Sequence, residues 1–156
     1  MPRSLQTIAN MFDQTRWAKD FSPHEVNTLA KYMSIHTAQQ GTYIFKQGDK
    51  QNYMAFIIAG EVDIKKESVD DTERFIATLP AKTHFGEMAF VDTEPRSASA
   101  MAKTQVTLLL LSRDNFEAAC EKHPNIGLKV FRNIAKNLSQ RLRSTTGKLM
   151  CLADIP

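Results

Sequence analysis

The chain reads as an α+β protein: helices at both ends around an antiparallel β roll. Three observations predict this. Apolar residues recur at helical spacing only in the first 33 residues and after Ser112. The middle, about residues 42–111, breaks into short strand-like runs separated by glycine-bearing turns. The gaps between those runs are too short for the crossover helices of a parallel sheet.

Residues 4–33 are predicted helical. Leu5, Ile8, Ala9 and Phe12 recur at helical spacing, and Ser22-Pro23-His24-Glu25 forms a capping box with proline at the first helical position. Val26, Leu29, Ala30 and Met33 then make one apolar stripe. Strands are expected at Thr42–Lys46, Tyr53–Ile58, Glu61–Lys66, Arg74–Leu79, Ala98–Ala102 and Gln105–Leu111. Gly41, Gly48-Asp49, Gly60-Glu61 and the charged stretch Ser68–Glu73 supply the turns. Runs of this length and spacing fit a β-sandwich or barrel. Residues 113–146 return to helix. Ser112 caps a helix carrying Phe116, Ala119 and Cys120, and His123-Pro124 breaks it. In the helix that follows, Ile126, Val130, Ile134, Leu138 and Leu142 lie four apart, with Phe131 and Ala135 beside them. Lys129, Arg132, Lys136, Arg141 and Arg143 lie mainly elsewhere around that helix.

Composition fits one domain spanning 1–156. The 156 residues are 42% apolar and 24% charged, with 6 Gly and 6 Pro, which excludes disordered, collagen-like and disulfide-scaffold classes. No apolar run approaches the roughly 20 residues of a membrane span. The opening Met-Pro-Arg-Ser-Leu has no signal-peptide core. A cytoplasmic protein that neither crosses nor binds a membrane is expected. Cys120 reads as a small buried hydrophobe and Cys151 lies near the chain end, so a disulfide between them is unforced. The four histidines are scattered, and no spacing of ligands suggests a metal. Net charge is +3, but residues 121–148 hold seven Lys/Arg against one acid, Glu121. That basic segment could meet nucleic acid, an acidic protein or a membrane surface, and the simpler reading is a solvated helix face.

The chemistry concentrates in Phe85-Gly86-Glu87-Met88-Ala89-Phe90, followed by Val91-Asp92-Thr93-Glu94 and Pro95-Arg96-Ser97-Ala98-Ser99. This stretch lies between two strands, where a rigid scaffold can hold a loop. Gly86 permits unusual backbone angles and close approach by a ligand. Glu87 to Phe90 can form one helical turn with free N–H groups. Arg96, between a proline and small residues, can point inward, where its guanidinium fork suits a phosphate. Glu87 can accept hydrogen bonds from sugar hydroxyls. An acid and a base around a helix start suit a compact phosphorylated sugar.

The stretch resembles the phosphate-binding cassette of the cyclic nucleotide-binding domain family: approximately F-G-E-[LIM]-A-L, four variable residues, then P-R-[SAT]-A-[ST]. Gln47-Gly48-Asp49 and Gly60-Glu61-Val62 match that family's glycine turns, and the likeness covers roughly residues 15–145. It implies a jelly roll with the cassette at 85–99, and cyclic AMP or cyclic GMP as ligand. Glu87 would bind the ribose 2′-hydroxyl and Arg96 the exocyclic phosphate oxygens. Phe85, Gly86, Met88 and Ala89 would form the wall and N–H groups of the short helix, and Ala98 a further N–H. Ser97 holds the position that influences base choice, where serine is compatible with either nucleotide; cyclic AMP is favoured. The final helix would cover the base, with Leu142, Leu149 or Met150 as cap.

The sequence departs from the family at Ala81-Lys82-Thr83-His84, where a glycine is usual, and at Phe90, a packing change. His84, beside the cassette, could touch the ligand but reads first as an exposed loop residue, and Asp92 and Glu94 as pointing to solvent. A bland alternative makes Glu87 and Arg96 a structural ion pair, in a ligand-free interaction module on the same fold. Met11, Met33, Met54 and Met101, four of the seven methionines, read as core fillers. No nucleophile–base pair is visible, so no enzyme activity is expected. With eleven residues after 145 there is no room for a DNA-binding domain. The chain reads as a free-standing sensor of an unknown regulated protein or as a fragment, with a homodimer through the last helix as a further expectation.

Overall fold

A computed structural model describes residues 3–70 and 72–153; residues 1, 2, 71 and 154–156 lie outside the description, residue 71 within the expected turn at 68–73. Helix α1 (Arg3–Asp13), a 3-10 turn (Ala18–Asp20) and α2 (Pro23–Ala30) lead into β1 (Met33–Ala38) and β2 (Tyr43–Phe45). Next come β3 (Tyr53–Ala59), β4 (Val62–Glu67), β5 (Glu73–Leu79) and β6 (His84–Phe85). The short helix α3 (Glu87–Asp92) precedes β7 (Ser99–Ala102) and β8 (Val106–Ser112), and α4 (Arg113–Lys122) and α5 (Pro124–Ala153) close the chain. The strands form two antiparallel sheets, ordered β1-β8-β3-β6 and β2-β7-β4-β5, as in a jelly roll.

The two central strands of the first sheet, β8 and β3, are buried on both faces, which explains their unbroken apolar runs. Met54 and Phe56 of β3, with Leu109 and Leu111 of β8, join the core shared with the helices, around Phe12, Trp17, Leu29, Val130 and Ile134. The intervening Ala55, Ile57, Val106 and Leu108 turn to the core between the sheets, with Phe45, Val62 and Phe85. A two-residue period thus feeds two cores from one strand.

The expected helix boundaries hold at the caps. Ser22 Oγ accepts from the Glu25 N–H, and Glu25 Oε1 accepts from the Ser22 N–H, 2.9 Å away. Ser112 caps α4 through the Asn115 N–H. Lys129 of α5 pairs with Glu25 at 2.6 Å, tying the last helix to α2. That ammonium and the capping hydrogen bond hold the Glu25 carboxyl below its usual range.

Three expectations change. The roll begins at Met33, because β1 pairs with β8 from Met33↔Leu111 to Ala38↔Val106. β1 buries only its two end residues, so its sequence shows no alternation. The two-residue β6 is too short to leave a pattern. Helix α5 runs to Ala153, past the expected end at 146, and residues 139–153 are exposed throughout. Cys120 and Cys151 are both free thiols, Cys120 half-buried.

Between β3 and β4 the chain changes sheets at Gly60, whose φ is +88°. A Cβ there would sit 2.3 Å from the Gln105 carbonyl oxygen. Gly60→Ala is therefore expected to destabilise the protein by at least about 2 kcal/mol, combining left-handed strain with a backbone clash. A lowered urea midpoint at unchanged m-value would show it.

Candidate functional site

Helix α3 crosses the mouth of the roll because the chain turns sharply at Gly86. Its φ is +83°, and a Cβ would lie 2.7 Å from Arg96 Nη1 and 3.1 Å from the Tyr53 carbonyl. Both the backbone angle and this close approach require glycine. The far end of α3 closes with Thr93 in the left-handed region, and Arg113 Nη1 donates to the carbonyls of Phe90 (2.8 Å) and Val91 (2.6 Å). A cation on the last carbonyls of a helix satisfies groups with no internal partner.

Arg96 is 3% exposed. Its guanidinium carbon lies 4.0 Å from the Phe45 ring centre and 4.6 Å from that of Tyr53. Nη1 donates to the Gly86 carbonyl at 3.0 Å and Nη2 to the Tyr53 carbonyl at 2.6 Å. The backbone on either side is pinned as well: Arg96 N–H donates to Asp49 O, and Gly48 N–H to Arg96 O, both at 2.8 Å. Of the five N–H donors of an arginine, the two η bonds use two, and the buried Nε has no protein partner. Burial works against the charge, while Tyr53, Asp49 and Glu87 favour it.

Glu87, 1% exposed, is the first residue of α3. Its Oε1 pairs with Arg141 Nη1 at 2.5 Å and accepts from Asn137 Nδ2 at 3.2 Å, both from α5. Oε2 is buried without a hydrogen bond; His84 Nδ1 stands 3.5 Å away. Burial pushes this carboxyl up, but His84 and Arg141 outweigh it and hold it below its ordinary value.

A cavity of about 300 Å³ gathers all eight residues singled out in sequence: Phe85, Gly86, Glu87, Met88, Ala89, Arg96, Ser97 and Ala98. Met88 is half exposed at its rim. The opposite wall is apolar and comes from β4 and β5, as Ile64, Ile76, Ala77 and Leu79. One side of the cavity is thus charged and hydrogen-bonding, and the other suits a flat apolar group. Among the described residues no group of His, Cys, Asp and Glu could hold a metal ion. No described helix is long and apolar enough to cross a membrane.

The cyclic nucleotide-binding domain family matches residues 35–123, more than half of the chain. The chain belongs to that family. It is 32% identical over 132 residues to a cyclic AMP receptor protein of Thermus thermophilus, covering 85% of this chain and 59% of the relative. It is 24% identical to human cGMP-dependent protein kinase 2, covering 94% of this chain and 19% of the kinase. The chain therefore spans only part of the length of these relatives. A crystal structure of a cyclic nucleotide-binding domain from Methylobacillus flagellatus superposes with a TM-score of 0.81 at 29% identity, over 94% of this chain and 82% of that one.

Several details of this cyclic nucleotide-binding domain differ from the sequence expectations. Glu87 pairs with Arg141 and not with Arg96, because Arg96 is spent on backbone carbonyls and rings. His84 is not an exposed loop residue. It opens β6 with 11% of its side chain exposed, and its ring lies 4.9 Å from that of Trp17. Asp92 and Glu94 are exposed as expected. Leu142, Leu149 and Met150 stand exposed, and Arg141 is the α5 residue that lines the cavity. Tyr53, Phe45 and Arg113 carried no sequence signal for their roles, since each acts through a contact far along the chain. Arg141 could have been suspected from its place in the basic segment.

Because the Glu87 pKa is depressed in the folded state, its stabilising contribution is present above pH 4.5 and is lost as pH falls through the lower folded value. Glu87→Gln is expected to lower Tm at pH 7, with the gap to the parent closing below about pH 4. Parallel melting curves from pH 7 to pH 3 would measure that gap; one constant across the range would remove the charge from this account.

Proposed function

We propose that the chain binds a 3′,5′-cyclic nucleotide, cyclic AMP in preference to cyclic GMP, as a non-catalytic intracellular sensor. One observation carries the reading. The cavity holds a buried cationic donor, Arg96 Nε, and a buried anionic acceptor, Glu87 Oε2, neither with a protein hydrogen bond. A buried group left unpaired costs about 1–3 kcal/mol. A ligand carrying both an anion and a hydroxyl satisfies the two together.

In this reading Arg96 takes the exocyclic phosphate oxygens and Glu87 the ribose 2′-hydroxyl. Gly86, Met88, Ala89 and Ala98 supply backbone wall and N–H groups, and Phe85 closes the floor. The base lies toward Ile64, Ile76 and Leu79, near Ser97. The Thermus relative's name supports the choice of cyclic AMP.

The ligand acts on the last helix through Glu87. Arg141 and Asn137 hold its Oε1 now. A ribose hydroxyl at the same carboxylate changes what those side chains gain from their present position. The nucleotide shifts α5 only by its differential affinity for the two positions. A separate protein then reads the position of α5.

The same helix is the dimer surface. Leu128, Phe131, Leu142, Leu149 and Leu152 are all exposed and, with Ala135, follow steps of three, four, seven, seven and three residues, which keeps them on one heptad stripe. That heptad seam suits a second copy of the chain. Leu142→Lys with Leu149→Lys is expected to convert a dimer to a monomer by light scattering; an unchanged mass would remove the seam from this reading.

The binding test is a thermal-shift titration of nucleotide-free protein with cyclic AMP, cyclic GMP and 5′-AMP. Stabilisation should grow as RT ln(1 + [L]/Kd) for the cyclic nucleotides, cyclic AMP first, and not for 5′-AMP. Arg96→Ala should cost about 2–5 kcal/mol of binding, the loss of one partner from a desolvated charge pair. Equal binding by parent and variant would place the ligand elsewhere. Absence of any shift would favour a ligand-free interaction module.

A further inference from the structure

A second cavity, also about 300 Å³, opens on the other side of the Arg141 side chain. Its walls come from the 3-10 turn, the turn between β5 and β6, and α5. Five basic side chains line it, Arg16, Lys19, Lys82, Lys136 and Arg141, against a single carboxylate, Asp20. Arg141 is paired with Glu87. The other four make no ion pair among the described residues. The amides of Asn133, Asn137 and Gln140 add hydrogen-bonding groups along the α5 wall.

Lys82 is the informative member. Its φ is +76°, in the left-handed region, where a side chain is strained and glycine is at ease. The backbone is fixed there because the Lys82 N–H donates to the Ile57 carbonyl at 2.7 Å, and the Thr83 hydroxyl to the Pro80 carbonyl at 2.6 Å. The turn therefore holds a long cation where local conformation asks for no side chain, and that cation lines the cavity. Strained residues of this kind cluster where a ligand or a switch needs them.

We infer that this cavity is a second ligand site, for a compact polyanion bearing two or more linked phosphates. Four unpaired cations from three separate elements, in a concave space, repel one another and attract multivalent anions. A single phosphate cannot answer cations delivered from three sides; a chain of phosphates can. Bound there, the polyanion bridges the 3-10 turn, the β5–β6 turn and α5. The site does not depend on the cyclic nucleotide reading, since it shares with the first cavity only Arg141 and Leu79.

The test is calorimetric titration of the whole chain with inorganic triphosphate, with orthophosphate for comparison. One triphosphate per chain is expected, at least ten-fold tighter than orthophosphate and weakening as salt rises. Lys82→Gly combined with Lys136→Ala should weaken it at least ten-fold. Lys82→Gly relieves the left-handed strain, so this variant keeps its fold, as a melting curve will verify. Arg96→Ala, once its own melting curve shows it folded, removes a side chain that lines the first cavity and not the second, and should bind triphosphate like the parent. The site is refuted if triphosphate binds no tighter than orthophosphate or if the double variant binds as well as the parent. It is equally refuted if folded Arg96→Ala loses binding, since the anion then lies in the first cavity.

Discussion

A permanent positive charge held inside a β roll is the constraint on which the rest of this structure depends. A guanidinium cannot shed its proton to escape burial, so Arg96 must be solvated by protein. Two carbonyls and two aromatic rings do this, supplied by three residues that each belong to a different element: Tyr53, which gives both a carbonyl and a ring, opens β3, Phe45 closes β2, and Gly86 precedes α3. The Gly48 and Asp49 turn is tied to the same residue by backbone bonds. The cavity's shape follows from where those partners must stand.

The negative member is solvated in the opposite way. Arg96 draws on the roll, whereas Glu87 draws on the last helix, through Arg141 and Asn137. The two charges of one cavity therefore report on two bodies of the structure. The rigid one is built by the sheets. The other depends on a helix anchored along Ile126, Val130 and Ile134 and by Lys129 to Glu25. Burial of Leu109, Leu111, Met54 and Phe56 against that helical layer keeps its root in register with the roll.

Much of this was legible in the sequence, and for physical reasons. Helix caps, glycine turns and short apolar runs are local signals, and Ser22, Ser112, Gly60 and β3 behave as their sequences predict. The cassette was legible because its charged groups and its glycine sit within fifteen residues of one another. What escaped depends on distant pairing. β1 exists because β8 lies beside it, and His84 is buried because Trp17 reaches across to it. The second basic cavity assembles cations from three segments far apart in the chain. Its one local trace was the lysine at position 82, where a glycine would have been usual.

The unsupported outer half of α5 has a geometric consequence. From residue 141 to residue 153 the helix is about 18 Å long at its normal rise, and its side chains are exposed throughout. Under the proposed coupling it is a lever with its fulcrum beside Glu87. A pivot of about ten degrees there carries the tip roughly 3 Å, enough to move one side-chain contact to the next. The proposed change at one carboxylate would thus be magnified with distance along the rod.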